Sequence, residues 1–295
     1  MVDFAIPEET KAIREKVRTF VHDVVIPAEE QLAHRPPKDV IKDLQVQARA
    51  EGLWMPFLPE QWGGMGLGPL ANAMVQIELA ESRLGAIALN SQGPDDATIL
   101  TLHAHGTDFQ KEKFLKPLTN GDLRVCFSMT ERAAGADATG MQTRAVRDGD
   151  NWILNGEKWF SSAASVADLA MIMAKTNPDA PRHQQFSTFL VELPNPGYQI
   201  VRNIPTMADV GGREGGGGHG EIIIKDLVVP HANLVGGEGN GFAMGQHRLG
   251  YGRLRHGMHN IGMAQRALDM ATKRVIERST FGRPLAERQG VQWML

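Results

Sequence analysis

The sequence predicts an α+β protein in which an all-helical N-terminal domain precedes a small β-barrel or sandwich and the start of a C-terminal helical bundle. Helical patterns run to about residue 120, short β-type runs separated by turn residues follow, and apolar residues at helical spacing return near residue 241. These changes predict three domains, at residues 1–121, 122–236 and 237–295. With 42% hydrophobic residues in 295, the chain can bury a large core.

Composition and charge exclude several classes of protein. The formal net charge is −3, so there is no basic field to attract nucleic acid or an anionic membrane. Cys126 is the single cysteine, which excludes an internal disulfide and fits a reducing compartment. The N-terminus lacks the pattern of a signal peptide, and no apolar run approaches the ~18 residues of a membrane span. We therefore expect a cytoplasmic protein without nucleic-acid or membrane partners.

Proline and glycine punctuate the N-terminal helices. Pro7 with two acidic residues after it suits a helix start, and Pro36-Pro37 separates the first helix from the second. A glycine-rich loop over residues 63–69 follows. The next helical stretches are expected near residues 70–84, 95–105 and 108–118.

Turn residues divide the middle region into short strands. Asp148-Gly149 lies between two alternating runs, which is a strong hairpin signal, and Asn155-Gly156 repeats this signal seven residues later. Together with the later runs, this predicts about six to eight strands in a small barrel or sandwich. The later runs cover residues 169–174, 188–193, 198–202 and 221–229.

An apolar stripe and four glycines mark the long C-terminal helix. The stripe consists of Leu254, Met258, Ile261, Leu268 and Val275. A second helix begins only at 285–295, so two helices would have to bury faces usually shared among four. The glycines at 250, 252, 257 and 262 each weaken a helix by ~1 kcal/mol relative to alanine. Close packing and ligand approach are both open explanations for them.

The most specific motif covers residues 126–137, Cys-Phe-Ser-Met-Thr-Glu-Arg-Ala-Ala-Gly-Ala-Asp. It reads as a strand ending at Thr130, followed by a loop of small residues where a backbone can approach a ligand closely. It resembles the Thr-Glu-Pro-x-x-Gly-Ser-Asp signature of the flavin-dependent acyl-CoA dehydrogenase family, in which such a segment hydrogen-bonds the flavin. A donor at the flavin's polar edge favours its reduced state. The resemblance implies FAD contacts from Phe127, Ser128, Met129, Thr130, Gly135 and Ala136.

A second motif, residues 155–162, resembles the family's Asn-Gly-x-Lys-x-Trp-Ile-Thr signature. Phe160 aligns with the tryptophan and Ser162 with the threonine. An aromatic ring there can pack against the isoalloxazine, and a hydroxyl can serve its polar edge. The resemblance implies FAD contacts from Phe160, Ser161 and Ser162. A hairpin with core aromatics is the alternative, and Trp159 suits it better than the two serines do.

A third motif, residues 277–289, resembles the family's Arg-x-x-Phe-Gly-x-x-Leu and following glutamine. In the family this arginine and glutamine bind the FAD of a neighbouring subunit, and a guanidinium can hold a pyrophosphate with two directed bonds. The resemblance therefore implies a homodimer or homotetramer. The corresponding residues are Arg278, Thr280, Phe281 and Gln289.

Residues 237–242 and 245–256 resemble the branch of the family whose animal members are fused to a kinase-like domain. By position, the stretch from Gly250 to Arg253 corresponds to the substrate-contacting segment, with Arg253 on the acyl-CoA side. Ala136 stands where the family has a serine near the pyrophosphate or substrate, and Arg132 replaces its proline. The resemblance implies substrate contacts from Ala136, Gly250 and Arg253.

The reaction implied by the resemblance is FAD-dependent α,β-oxidation of an acyl-CoA thioester. A carboxylate in a desolvated pocket removes the α-proton, hydride passes to flavin N5, and an electron-transfer flavoprotein accepts the electrons. Most members place the base beyond the equivalent of Leu295, and a minority place it where this chain has Gly252. The catalytic base is therefore unknown. We expect a C-terminally truncated acyl-CoA dehydrogenase polypeptide.

Other functions stay open. One is a flavin-dependent oxidase or monooxygenase on the same scaffold, and another is a non-catalytic fragment that binds flavin or acyl-CoA. No metal is expected, because the His103/His105 and His256/His259 pairs lack a third ligand at suitable spacing. Residues 211–218 match neither a phosphate-binding nor a dinucleotide fingerprint, and we expect a loop of the β domain near the substrate mouth.

Overall fold

The computed structural model describes residues 5–207 and 217–295, which form two compact units. The first unit contains residues 5–59, 64–89 and 253–295. The second contains residues 60–63 and the described part of 90–252. The domain boundaries expected at residues 121 and 236 stay a prediction.

Prolines at the first turns set the starts of helices in the first unit, as the sequence predicts. Pro7 precedes the first helix, and Pro37 and Pro69 occupy first-turn positions of later ones. A wider helical turn, Val21–Val25, connects the first two helices, and a 3₁₀ turn, Glu29–Ala33, follows. The helices are α1 (Glu8–Phe20), α2 (Ile26–Ala28), α3 (Pro37–Ala50), α4 (Pro69–Leu79) and α5 (Gly85–Ala88). Their core includes the fully buried residues Val17, Val21, Leu53 and Leu79.

A long helix, α9 (Gly241–Glu277), contributes residues 253–277 to the first unit. Arg266 connects it to the segment after α2, donating from Nη1 and Nη2 to the Glu29 carboxylate at 2.9 and 2.8 Å. Burial raises the pKa of Glu29, but hydrogen bonds from Arg266 and Ser82 outweigh burial and leave that pKa lowered. His259 Nε2 lies 2.9 Å from Gln76 Oε1 in α4.

Of the glycines at 250, 252, 257 and 262 in α9, close packing explains one. A Cβ atom added at Gly262 would lie 2.0 Å from the backbone oxygen of Ile77 in α4. At Gly250, Gly252 and Gly257 an added Cβ would meet no atom within 4 Å. Helix packing therefore accounts for Gly262 and leaves the other three glycines unexplained by contact within the described residues.

Gly262→Ala is expected to lower the free energy of unfolding by about 1–3 kcal/mol, because overpacking against a backbone carbonyl forces the two helices apart. Gly257→Ala is the matched control in the same helix, and it is expected to raise stability by up to about 1 kcal/mol through helix propensity alone. Urea unfolding of both variants measures the difference. Effects of the same sign and size would contradict the assigned contact.

The apolar stripe of α9 is only partly covered by the first unit. Leu254, Ile261 and Leu268 expose 48%, 50% and 41% of their surface. After the helix, β9 (Ser279–Thr280) and β10 (Arg283–Pro284) form a hairpin around Phe281 and Gly282, both with positive φ, as a two-residue type I′ turn requires. The helix predicted from residue 285 is regular only in α10 (Gln289–Gln292).

The second unit combines three short helices with the predicted β region. The helices are α6 (Asp95–His105), α7 (Asp108–Gln110) and α8 (Lys116–Thr119). The strands are β1 (Val125–Ser128), β2 (Arg144–Asp148), β3 (Asn151–Ser162), β4 (Leu169–Lys175), β5 (Phe186–Glu192), β6 (Tyr198–Asn203), β7 (His219–Pro230) and β8 (Leu234–Val235). Every predicted strand run is present, so the α+β fold class is confirmed.

Among the described residues, the eight strands of this unit form one sheet in the order β6-β7-β3-β1-β4-β5-β8, and β2 pairs with both β3 and β4. Most pairs are antiparallel, whereas β4 is parallel to β1 and β2. Strand β2 bridges β3 and β4. The strands surround one hydrophobic core, to which each of β1 to β8 contributes buried residues. That core includes Trp152, Ile172, Phe189 and Ile224.

The hairpin predicted at Asp148-Gly149 is confirmed, and the one suggested by Asn155-Gly156 is wrong. Strand β3 runs through residues 155 and 156 with a register shift against β7. A Cβ at Gly156 would lie 2.4 Å from Thr143 Oγ1, so the glycine allows close approach of a neighbouring segment. Asn155 Oδ1 accepts a hydrogen bond from Asp226 N, so this side chain bonds to a neighbouring strand and not within a turn.

Within residues 5–207 and 217–295, no helix has the length and apolar character that would let it cross a membrane. The glycine-rich stretch 211–218 falls largely within residues 208–216, so its predicted place near the substrate mouth lies outside the described residues.

Candidate functional site

Two of the three motifs meet where β1, β3 and β7 lie side by side. Phe127 of β1 pairs with Ser162 of β3, and Ser162 pairs with His219 of β7. Residues directly opposite one another project from the same face of a sheet. Phe127 and Ser162, each predicted from a separate motif, therefore share one face with His219.

The opposite face holds a buried hydroxyl network. Ser128 Oγ lies 2.8 Å from Ser161 Oγ and 2.9 Å from the Tyr198 hydroxyl, which is 3.4 Å from Cys126 Sγ. All four side chains are buried. A flavin contact from Ser128 or Ser161 would therefore come from the backbone. Burial raises the pKa of Cys126 to about 11, so the thiol is unreactive at neutral pH.

A buried ion pair connects the two motifs. Lys158 Nζ donates to Glu131 Oε1 and to the Met129 carbonyl, both at 2.9 Å, and the two charged side chains are 0% and 3% exposed. The Glu131 carboxylate also accepts from Gln142 N at 2.6 Å and Thr143 N at 2.9 Å. These bonds fix the turn that follows Met129.

The charges of this pair are compatible with neutral pH. Burial lowers the pKa of Lys158 to about 8, although the Glu131 charge opposes that effect. Burial raises the pKa of Glu131, but the Lys158 charge and hydrogen bonds from Gln142 and Thr143 outweigh it and leave that pKa below its usual value. Sequence reasoning assigned neither residue a role. The signal was present, because Glu131 and Lys158 are fixed letters of the two signatures.

Phe160 has an unusual backbone and an exposed ring. Its φ is +55°, and the register of β3 against β7 shifts between Lys158 and Ser161. A left-handed aromatic residue costs about 1–3 kcal/mol and occurs mainly at functional sites, as bulges do. The ring is 45% exposed, which decides against a hairpin with Phe160 in the core. Its edge contacts His219, with ring centroids 6.3 Å apart.

Arg132 stands where the family signature has a proline, and its side chain contacts Trp159 and Glu221. Its guanidinium lies 4.6 Å from the centroid of the Trp159 ring, and that of Arg202 lies 5.6 Å from it. Both arginines pair with the Glu221 carboxylate, at 2.5 and 2.7 Å. The hydrogen bond from Arg202, assisted by Arg132, lowers the pKa of Glu221. Arg132 therefore covers Trp159 and completes a charged triad.

Phe127 contacts a cation, Arg248, to which the sequence motifs assigned no role. The Arg248 guanidinium lies 4.2 Å from the Phe127 ring centroid. It donates to Thr98 Oγ1 at 2.7 Å and to the Pro94 carbonyl at 3.0 Å. Arg248 is 8% exposed. This arginine holds the ring in one orientation.

The face of the sheet that holds Phe127, Ser162 and His219 has the chemistry that a flavin ring requires. Thr130 is half-buried, and its hydroxyl makes no hydrogen bond to any described residue. Its carbonyl accepts from Trp159 N at 2.7 Å, which ties Thr130 to the residue before Phe160. An added Cβ at Gly135 would meet nothing within 4 Å. An aromatic surface, hydroxyl donors and an accessible backbone together fit an isoalloxazine.

The other predicted residues are exposed. Ala136 lies in a loop where Asp137 pairs with Arg182 at 2.9 Å, and Gly250 lies on the outer surface of α9. In the first unit, Phe281 at the hairpin tip is 98% exposed. Arg278, Arg253 and Gln289 are exposed there as well, and Thr280 is half-buried. Within the described ranges, no group of three or more His, Cys, Asp and Glu side chains is placed to hold a metal.

The chain is similar to known proteins over nearly its full length. Three models match in order: acyl-CoA dehydrogenase N-terminal domain at residues 7–122, middle domain at 126–227 and C-terminal domain at 239–295. A probable acyl-CoA dehydrogenase of Mycobacterium tuberculosis is 38% identical, over 99% of this chain and 73% of that protein. Acyl-CoA dehydrogenase family member 11 of Gallus gallus is 36% identical over 94% of this chain.

Solved structures agree with these matches. A putative acyl-CoA dehydrogenase from Mycobacterium abscessus superposes with a TM-score of 0.89 at 33% identity, over 98% of this chain and 75% of that chain. An FAD complex of PigA gives a TM-score of 0.81 at 27% identity, over 99% of this chain and 74% of that chain. The chain spans 37% of the avian member 11, so it corresponds to a minor part of that protein. By its domains, its relatives and its fold, the chain belongs to the acyl-CoA dehydrogenase family.

Proposed function

We propose that residues 1–295 form the FAD- and acyl-CoA-binding part of a dehydrogenase that oxidises the Cα–Cβ bond of an acyl-CoA thioester. The observation that carries this proposal is the open face that holds Phe127, Ser162 and the exposed ring of Phe160, next to the turn after Met129 that the Lys158–Glu131 pair fixes. Similarity to acyl-CoA dehydrogenases and to an FAD complex supports it.

The chain's own residues divide the work of holding the cofactor. The Thr130 and Ser162 hydroxyls would bind its polar edge, Phe160 would cover the ring, and Gly135 with Ala136 would approach through the backbone. Phe127, Ser128, Met129 and Ser161 would add backbone or ring contacts. When bound, FAD supplies the two-electron acceptor for the β-hydrogen. Arg278, Thr280, Phe281 and Gln289 would reach the FAD of a second subunit in a homodimer or homotetramer.

The residues proposed to contact the substrate include no side chain that could act as a general base. Gly250, Arg253 and Ala136 would contact the acyl-CoA, and none of them can remove an α-proton. Gly252 occupies the position at which a minority of the family place the base. We propose that the base is absent from residues 1–295. The electrons would pass to an electron-transfer flavoprotein in the cytoplasm, and the domains would divide at residues 121 and 236.

Titration of the FAD-free chain with FAD tests the proposed cofactor site. We expect one FAD per chain, followed by visible absorbance and quenching of flavin fluorescence. Phe160→Ala is expected to weaken binding by about tenfold, because the ring supplies an aromatic contact of up to about 1.5 kcal/mol. Phe109→Ala is the matched control, since Phe109 is 50% exposed and packs on Phe114. Equal losses in the two variants would count against the assigned face.

A further inference from the structure

His219 contacts two of the side chains proposed for flavin binding, although no sequence motif includes it. Its Nδ1 lies 2.9 Å from Ser162 Oγ, and its ring meets the edge of Phe160. The backbone holds it in place, because the His219 carbonyl accepts from Ile204 N at 2.8 Å and His219 pairs with Ser162 across β3 and β7. The His219 imidazole therefore contacts both Ser162 and Phe160 on this face.

The protonation of His219 Nδ1 decides where the Ser162 proton points. A hydroxyl has one proton to donate. If Nδ1 accepts, that proton is used by His219; if Nδ1 carries a proton and donates, the Ser162 proton is free for a ligand. A donating Nδ1 is the arrangement in which the Ser162 proton stays available on the face that Ser162 shares with Phe127.

We propose that His219 is a positioning residue that directs the Ser162 proton towards the polar edge of the flavin. This inference rests on the proposed function. A donor at that edge stabilises the electron-rich reduced cofactor. His219 therefore raises the electron affinity of the flavin through Ser162, without touching the cofactor itself.

Redox titration of the FAD-loaded chain tests this role. His219→Phe keeps a ring against Phe160 and removes both nitrogens. It is expected to lower the equilibrium constant for flavin reduction about tenfold, which is about 30 mV for a two-electron couple. His219→Asn retains an amide that can donate at similar reach, and it is expected to restore most of the lost potential.

A double-mutant cycle separates this role from a merely structural one. In a Ser162→Ala background, His219→Phe is expected to leave the midpoint potential unchanged, because its effect passes through Ser162. A shift of equal size in both backgrounds would overturn the proposal, as would a wild-type potential that His219→Phe does not move.

A readout without FAD distinguishes this inference from the proposed function. In ¹⁵N NMR spectra of the FAD-free chain, His219 Nδ1 is expected to carry the proton at neutral pH. An unprotonated Nδ1 would overturn the role of His219 alone. Failure of the wild-type chain to bind FAD would overturn the proposed function and this role together.

Discussion

Lys158→Met is expected to lower the free energy of unfolding by about 3–5 kcal/mol, because it leaves the Glu131 carboxylate charged and buried without its partner. Lys158 is 0% exposed and donates to Glu131 and to the Met129 carbonyl. Methionine fills a similar volume but donates to neither acceptor. Urea unfolding at pH 7 measures the loss, and FAD titration of the same variant should show weaker binding.

Two further variants isolate the cause of this loss. Lys113→Met removes the lysine of an exposed pair with Glu192, in which the side chains are 38% and 62% exposed, and it is expected to cost no more than about 1 kcal/mol. Glu131→Gln combined with Lys158→Met removes the uncompensated charge and is expected to recover part of the loss. If Lys158→Met lowered the free energy of unfolding no more than Lys113→Met does, the buried Lys158–Glu131 pair would contribute no more to stability than an exposed pair.

Gly252→Glu is expected to raise the reactivity of the chain towards an acyl-CoA. It places a carboxylate immediately before Arg253, at the position where a minority of the family carry their base. An added Cβ there meets no atom within 4 Å, so the helix accommodates a side chain at this position. A positioned general base contributes about 10²–10⁴-fold to proton abstraction. We therefore expect the rate of flavin reduction by an acyl-CoA to rise by at least about a hundredfold.

Gly257→Glu is the matched control for this gain. Gly257 lies in the same helix and also has no contact for an added Cβ within 4 Å. Five residues further along, its side chain projects about 140° away around the helix. The added charge is the same, so a gain in this variant would show that net charge, rather than a placed base, causes the effect.

Local patterns were sufficient to predict the elements of the fold. Proline positions fixed helix starts, and alternating runs between turn residues identified the strands from 144 to 230. The error at Asn155-Gly156 has a physical reason. The dipeptide satisfies a bulged strand as well as a turn, since Gly156 is needed for the approach of Thr143 and Asn155 accepts a bond from Asp226.

Contacts across long separations were beyond the reach of these patterns. Lys158 and Glu131 are 27 residues apart, Ser162 and His219 are 57 apart, and Arg248 reaches Thr98 over 150. Charged residues are rarely buried fully, so a sequence pattern assigns them to the surface by default. Only the folded chain brings these residues into contact with one another.

The most direct test of the account is anaerobic mixing of the FAD-loaded chain with an acyl-CoA, followed by the visible absorbance of the flavin. The account predicts that wild-type residues 1–295 keep this absorbance and that Gly252→Glu loses it as the flavin is reduced. Rapid loss in the wild-type chain would contradict the account, because it would show that a base is already present within these residues.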